Sequence, residues 1–150
     1  MTRMLLVLLA LAAPVAAAPV PKELKKEFKI EGTWRMLSCD CFGNPAQLNA
    51  DQHWTFDAGL SMTAHLGSKA APGAVSASKL LIDADADPKR ADFNSADDPT
   101  VRPGIYEFGP DGNTLKLCIN MNTADRPTTV EPGKNVYLWT LQRAKPEGVK

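Results

Sequence analysis

Gly104 to Ile119 read G-I-Y-E-F-G-P-D-G-N-T-L-K-L-C-I, and the order of residue types in this stretch decides the fold class. Tyr106 and Phe108 lead into Gly109-Pro110-Asp111-Gly112-Asn113, where proline brings a fixed φ and Gly and Asn tolerate a positive one. Beyond that turn Leu115, Leu117 and Ile119 alternate with Lys116, Cys118 and Asn120. One side of the strand is therefore apolar and faces a core, while the other faces water. The stretch predicts a β-hairpin.

The same period-two pattern extends outward in both directions, broken by Gly, Pro, Asn and Asp, without a return to helical spacing. Strands are predicted near residues 33–42, 52–57, 59–66, 75–83, 90–94, 105–108, 114–121 and 136–143. The fold class is all-β: a small antiparallel barrel of about eight strands over residues 32–145, because closure removes exposed edges. Residues 146–150 form a tail. Upstream, residues 18–31 read as a proline-containing tether and a short N-terminal amphipathic helix, with Leu24 and Phe28 four apart between lysines. Met4 to Ala13 is an unbroken apolar run, too short to span a bilayer and followed by Val15-Ala16-Ala17. Residues 1–17 thus read as a signal peptide, which predicts export to the periplasm or the extracellular space and no membrane span.

Removing that leader takes Arg3 with it, so 17 basic residues become 16 against 17 acidic ones. Such a balance predicts neither a nucleic-acid partner nor an anionic-membrane one. About 133 residues would remain, the length of one domain, expected as a monomer.

Glu31-Gly32-Thr33-Trp34 resembles the G-x-W element that opens lipocalins and related barrels. Taken with the 104–119 hairpin, A-D-R-P-T-T-V at 124–130 and the final L-x-x-L-Q-R at 138–143, the order is similar to an uncharacterised family of exported lipocalin-like domains common in planctomycete bacteria. That resemblance implies a compact barrel and leaves ligand and reaction open. It also implies a clasp in which a basic side chain of the last strand lies across the opening tryptophan, here Arg143 over Trp34.

Large apolar side chains fall on the inward sides of several strands and line either a pocket or a filled core. Trp34, Met36, Trp54, Phe56, Tyr106, Phe108 and Leu117 are the candidate ligand-binding set. Tyr137-Leu138-Trp139 is apolar on both faces, so one side chain there is expected outside, covered by the Leu24/Phe28 helix or by a partner. Cys39 and Cys41 share a side with Arg35 and are expected to face outward, as is Cys118 beside Lys116. A bridge between Cys39 and Cys41 is disfavoured, since i and i+2 side chains in a strand stand nearly 7 Å apart while a disulfide needs Cβ atoms about 3.8 Å apart. Cys118 with Cys41 or with Cys39 is the better candidate pair.

D-A-D-A-D-P at 83–88 departs from a calcium loop, having Pro88 where glycine should stand and Asn94 where a bidentate Glu should; a solvated acidic turn is the expectation. His53 and His65 have no sequence partner that would make either a base, and nucleophile and phosphate-loop motifs are missing. No enzyme, cofactor or metal site is predicted. Three functions stay open: a module binding a small apolar or amphipathic ligand, a protein-interaction or structural module with a filled core, and, more remotely, a thiol-based metal or redox protein.

Overall fold

The structure is a computed structural model and describes residues 28–48, 52–65, 76–95 and 97–145. The expected leader, the tether and helix as far as residue 27 and the tail at 146–150 lie outside the described residues. Among the described residues ten strands run in order: β1 Gly32–Cys41, β2 Asn44–Pro45, β3 His53–Phe56, β4 Ser61–His65, β5 Ser76–Asp83, β6 Arg90–Ser95, β7 Asp98–Arg102, β8 Gly104–Phe108, β9 Thr114–Asn120 and β10 Val136–Arg143. Eight of them close an antiparallel barrel in the order β1, β3, β4, β5, β6, β8, β9, β10, with β10 returning to pair β1. The two-residue β2 folds back on the end of β1, and β7 pairs with β6 outside the ring.

Turn chemistry accounts for the hairpins. At β8–β9 the Gly109 N–H donates to the Thr114 carbonyl at 2.9 Å, Asp111 Oδ1 accepts the Asn113 N–H at 2.9 Å, and Gly112 takes φ +72°. A side chain at Gly112 would also run into the Phe28 ring. At β3–β4 the Asp57 carboxylate accepts from the N–H groups of Gly59 and Ser61, at 2.8 and 2.9 Å. After β5, Asp83 Oδ1 accepts from Asp85 and Ala86, both at 3.2 Å, and shapes the acidic stretch as a turn.

One end of the barrel is sealed. Trp34 is fully buried, its indole N–H donates to the Ile30 carbonyl at 2.6 Å, and the Arg143 guanidinium lies 4.2 Å above its ring. Arg143 also donates to the carbonyls of Glu31, at 2.8 Å, and Lys29, so the chain entering the barrel is tied to the strand leaving it. Phe108 lies beside Trp34 with ring centroids 6.1 Å apart, and Phe28 covers Phe108 at 5.5 Å. The covering role expected of Phe28 over Tyr137–Trp139 is corrected: Phe28 packs at the clasp end, whereas Tyr137 and Trp139 both point inward toward the opposite end, opposite Cys41 and Cys39.

On the outer face Ile105 and Cys118 pair across β8 and β9, and both are fully buried. The 121–135 connection covers them. Asn120 starts it, its side chain making four hydrogen bonds with Thr123, Asp125 and Asn122. Arg126 then pins it to the wall by pairing with Asp92, its Nη2 3.0 Å from Oδ2, and by donating to the Gly104 carbonyl. Burial raises the Asp92 carboxyl, but the hydrogen bonds from Arg126 and Gly104 and the charges of Arg126 and Arg90 outweigh it and hold its pKa below the ordinary value.

Gly104 lets these layers meet, since a Cβ there would stand 2.6 Å from the Ala91 carbonyl oxygen and 2.9 Å from that of Cys118. Gly104→Ala is expected to cost about 1–3 kcal/mol of unfolding free energy in urea titration, because backbone, unlike a flexible side chain, cannot step aside. Because the Asp92 pKa is lowered on folding, its contribution is present above about pH 4 and disappears as pH falls through the folded value. Asp92→Asn should therefore flatten part of the stability loss below about pH 4, read from denaturation midpoints between neutral and acid pH.

Candidate functional site

Between Met36 and Ser38 the pairing of β1 with β10 shifts register, because β1 carries one extra residue there. A β-bulge of this kind reverses which side chains face inward. Before it Trp34 and Met36 point in, opposite Arg143 and Leu141; after it Cys39 and Cys41 point in, opposite Trp139 and Tyr137. Leu37, at the bulge, is left 44% exposed. The expected outward placement of Cys39 and Cys41 is thereby corrected. Arg35 stays outside, donating to Gln142 Oε1 at 3.1 Å.

The barrel interior divides into two halves. Around the clasp, Trp34, Phe56, Leu115, Leu117 and Leu141 are almost wholly out of water and leave the space filled. At the far end lies a cavity of about 340 Å³ that opens outward as a cup. Its floor and walls carry Met36, Trp54, Met62, Ala64, Phe93 and Trp139; Cys39 and Ser78 complete the wall, and Ala46, Gln47, Leu48 and Gln52 form one lip. Trp54 and Trp139 meet edge-on with ring centroids 5.1 Å apart, and Tyr137 continues the aromatic row at 5.5 Å from Trp139.

Of the candidate ligand-binding set, Met36 and Trp54 line this cup, and Trp34, Phe56, Tyr106, Phe108 and Leu117 do not. Their placement has a steric reason. All five belong to the packed core, where bulky side chains fill the interior against one another, as the rings of Trp34 and Phe108 at 6.1 Å and of Tyr106 and Phe108 at 5.8 Å show. Met62 is one of the inward apolar residues that the alternation marks for a pocket or core, and Trp139, Phe93 and Ala64 lie on inward rows that it could have marked; Ser78, on a strand rich in small residues, had no such signal.

Ser78 is the polar exception among these apolar walls. It is only 6% exposed, and its hydroxyl has no hydrogen-bond partner. A buried hydroxyl left unpaired costs about 1–3 kcal/mol, and here it lines the cavity.

The thiols occupy two separate places. Cys39 and Cys41 are side by side inside the barrel with their Sγ atoms 3.1 Å apart. Cys118 is outside the wall, its Sγ 3.7 Å from the Glu131 carbonyl. All three are free, and the expected bridge from Cys118 to Cys41 or Cys39 is corrected: β10 stands between β1 and β9, and the side chains project from opposite faces. Burial, reinforced by the neighbouring Cys41 thiol, pushes Cys39 up to about 12. Burial likewise raises Cys118. Among the described residues no group of three or more His, Cys, Asp or Glu is placed to hold a metal, and no helix is long and apolar enough to cross a membrane.

Among the described residues, the fold and cavity define a closed eight-stranded antiparallel barrel, filled at the clasp end and carrying toward the other an apolar cup lined by the unpaired Ser78 hydroxyl. No family model, curated protein or solved structure matches the chain.

Thiolate, not thiol, reacts with iodoacetamide. In the folded protein at pH 8, with reductant removed, one thiol (Cys41) is expected to be alkylated readily and Cys39 and Cys118 only on unfolding, as peptide mapping by mass spectrometry would show. Rapid labelling of all three in the native state would contradict the burial described.

Proposed function

We propose that this protein is an exported, non-enzymatic, lipocalin-like binding module that holds one small apolar or amphipathic ligand in the cup of its barrel. The observation that carries this reading is the cavity of about 340 Å³ with its aromatic and thioether walls and the unpaired Ser78 hydroxyl. Ligand sites are concave and mostly apolar, with few polar groups to set orientation, and run from about 300 Å³ upward. A cup of this kind suits a ligand with an apolar body and one hydrogen-bonding group directed at Ser78. The G-x-W opening with Arg143 over Trp34 supports the lipocalin-like part of the reading, and the apolar run at residues 4–13 supports export.

Two experiments test it. Native mass spectrometry of protein purified from its own host looks for a retained small molecule. Titration with an amphipathic naphthalene sulfonate probe follows quenching of Trp54 and Trp139, which line the cup. Saturable one-to-one binding is expected. Ala64→Phe should abolish it while far-ultraviolet circular dichroism stays that of the parent, and Ser78→Ala should weaken a hydrogen-bonding ligand about tenfold, the effect of losing roughly 1.4 kcal/mol. No retained molecule and no saturable quenching would leave the cup without a ligand role.

A further inference from the structure

Cys39 and Cys41 have more specific geometry than two thiols in a wall require. Their sulfurs are 3.1 Å apart. Two thiolates on one tetrahedral zinc stand about 3.8 Å apart, since each Zn–S bond is about 2.3 Å, so the pair is too close for that role. A disulfide joins sulfurs at about 2.05 Å, about 1 Å nearer. The strand is irregular on both sides of the pair. The bulge at Leu37 precedes it, and immediately after Cys41 the chain turns through Phe42 and Gly43 at φ +58° and +81°. The third thiol, Cys118, is behind the wall and cannot compete for either partner without unfolding.

The two thiols also differ in access. Cys39 is 7% exposed and lines the cup, whereas Cys41 is half-buried at the rim end of β1. Burial and the adjacent Cys41 keep Cys39 protonated at neutral pH. Cys41 is thus the thiol that an incoming reagent meets first, and Cys39 is the one waiting behind it.

We propose that Cys39 and Cys41 form a dithiol–disulfide exchange site at the rim of the barrel, with a small disulfide, R–S–S–R, as its substrate. Cys41, after giving its proton to water, attacks one sulfur of the substrate; the S–S bond breaks, Cys41–S–S–R forms, and RS⁻ leaves. Cys39 then loses its proton and attacks the Cys41 sulfur, forming Cys39–S–S–Cys41 and releasing the second RS⁻. The two leaving thiolates take up two protons, so one disulfide is reduced to two RSH and the protein dithiol is oxidised by two electrons. A ring closed across a single residue of an extended strand is strained. Such a bond is readily reopened by thiols, which suits exchange rather than permanent cross-linking. This inference does not depend on the cup holding a ligand.

Oxidised glutathione is the probe, used on the folded full chain, with thiols counted by alkylation and masses read intact and after proteolysis. In a Cys118→Ser variant the count should fall from two to zero, the mass should drop by two hydrogens, and no glutathione should remain attached. Cys39→Ser should instead keep one glutathione on Cys41, because nothing resolves the mixed disulfide. In Cys41→Ser, Cys39 alone should react at least about tenfold more slowly than Cys41 does in Cys39→Ser. Dithiothreitol should restore both thiols in Cys118→Ser. Should the buried-site variants fail to fold, the parent and Cys118→Ser decide the matter by peptide mapping. A bridge involving Cys118, a glutathione adduct on the parent that never resolves, or a thiol count unchanged by the probe would each overturn the proposal.

Discussion

The pairing of β1 with β10 is the constraint from which the interior follows. From Trp34 opposite Arg143 to Cys41 opposite Tyr137, this ladder turns an open sheet into a closed one and leaves the ring without an edge. It also brings the start and end of the domain together, which is why a guanidinium from the last strand can reach an indole in the first and two carbonyls just before it. A cation above an indole contributes about 0.5–2 kcal/mol. Its greater consequence is positional: once Trp34, Phe108 and Phe28 occupy the clasp end, unfilled volume can exist only farther along the barrel.

That division explains how so short a chain has both a solid core and a cavity. Eight strands enclose just enough space for side chains to fill or for one small ligand to enter. Here the choice varies along the axis. Near the clasp, rings and leucines from facing strands meet. Toward the mouth, the small side chains Ala64 on β4 and Ser78 on β5 share the wall with Trp139 and Phe93, and the room they fail to fill is the cup. The outer wall is held by separate means, with Arg126 tying the 121–135 connection to Asp92 and to the Gly104 carbonyl.

Much of the barrel was legible in the residues. Alternation of Leu115, Leu117 and Ile119 and the turn chemistry of 109–113 are local signals, and the eight barrel strands were all found near their observed places. Two short strands escaped, β2 because two residues carry no periodicity and β7 because Pro99 and polar neighbours read as loop. The site was less legible because alternation is counted from one end, and a single inserted residue inverts everything after it. Nothing about Leu37 marks a bulge: it is neither glycine nor proline, and the extra residue is visible only as a register shift against β10. Counting parity from Arg35 consequently put Cys39 and Cys41 outside. The A-D-R-P stretch was visible as a motif, but its physical content, Arg126 reaching a carboxylate 34 residues away, is a tertiary fact.

The bulge also links the two proposals about this molecule. Without the added residue, the side chains at 39 and 41 would face solvent on the outer wall with Arg35, and the last inward group of β1 before the mouth would be a different one. With it, two thiols take places opposite Trp139 and Tyr137, one of them in the cup wall itself. Thiols pack there as small apolar groups, and with their sulfurs 3.1 Å apart they also bring reactivity to the wall. Cys39 lines the cup, and Cys41 stands beside it at the end of β1, its sulfur 3.1 Å away. The proposed exchange pair and the cup thus have Cys39 in common.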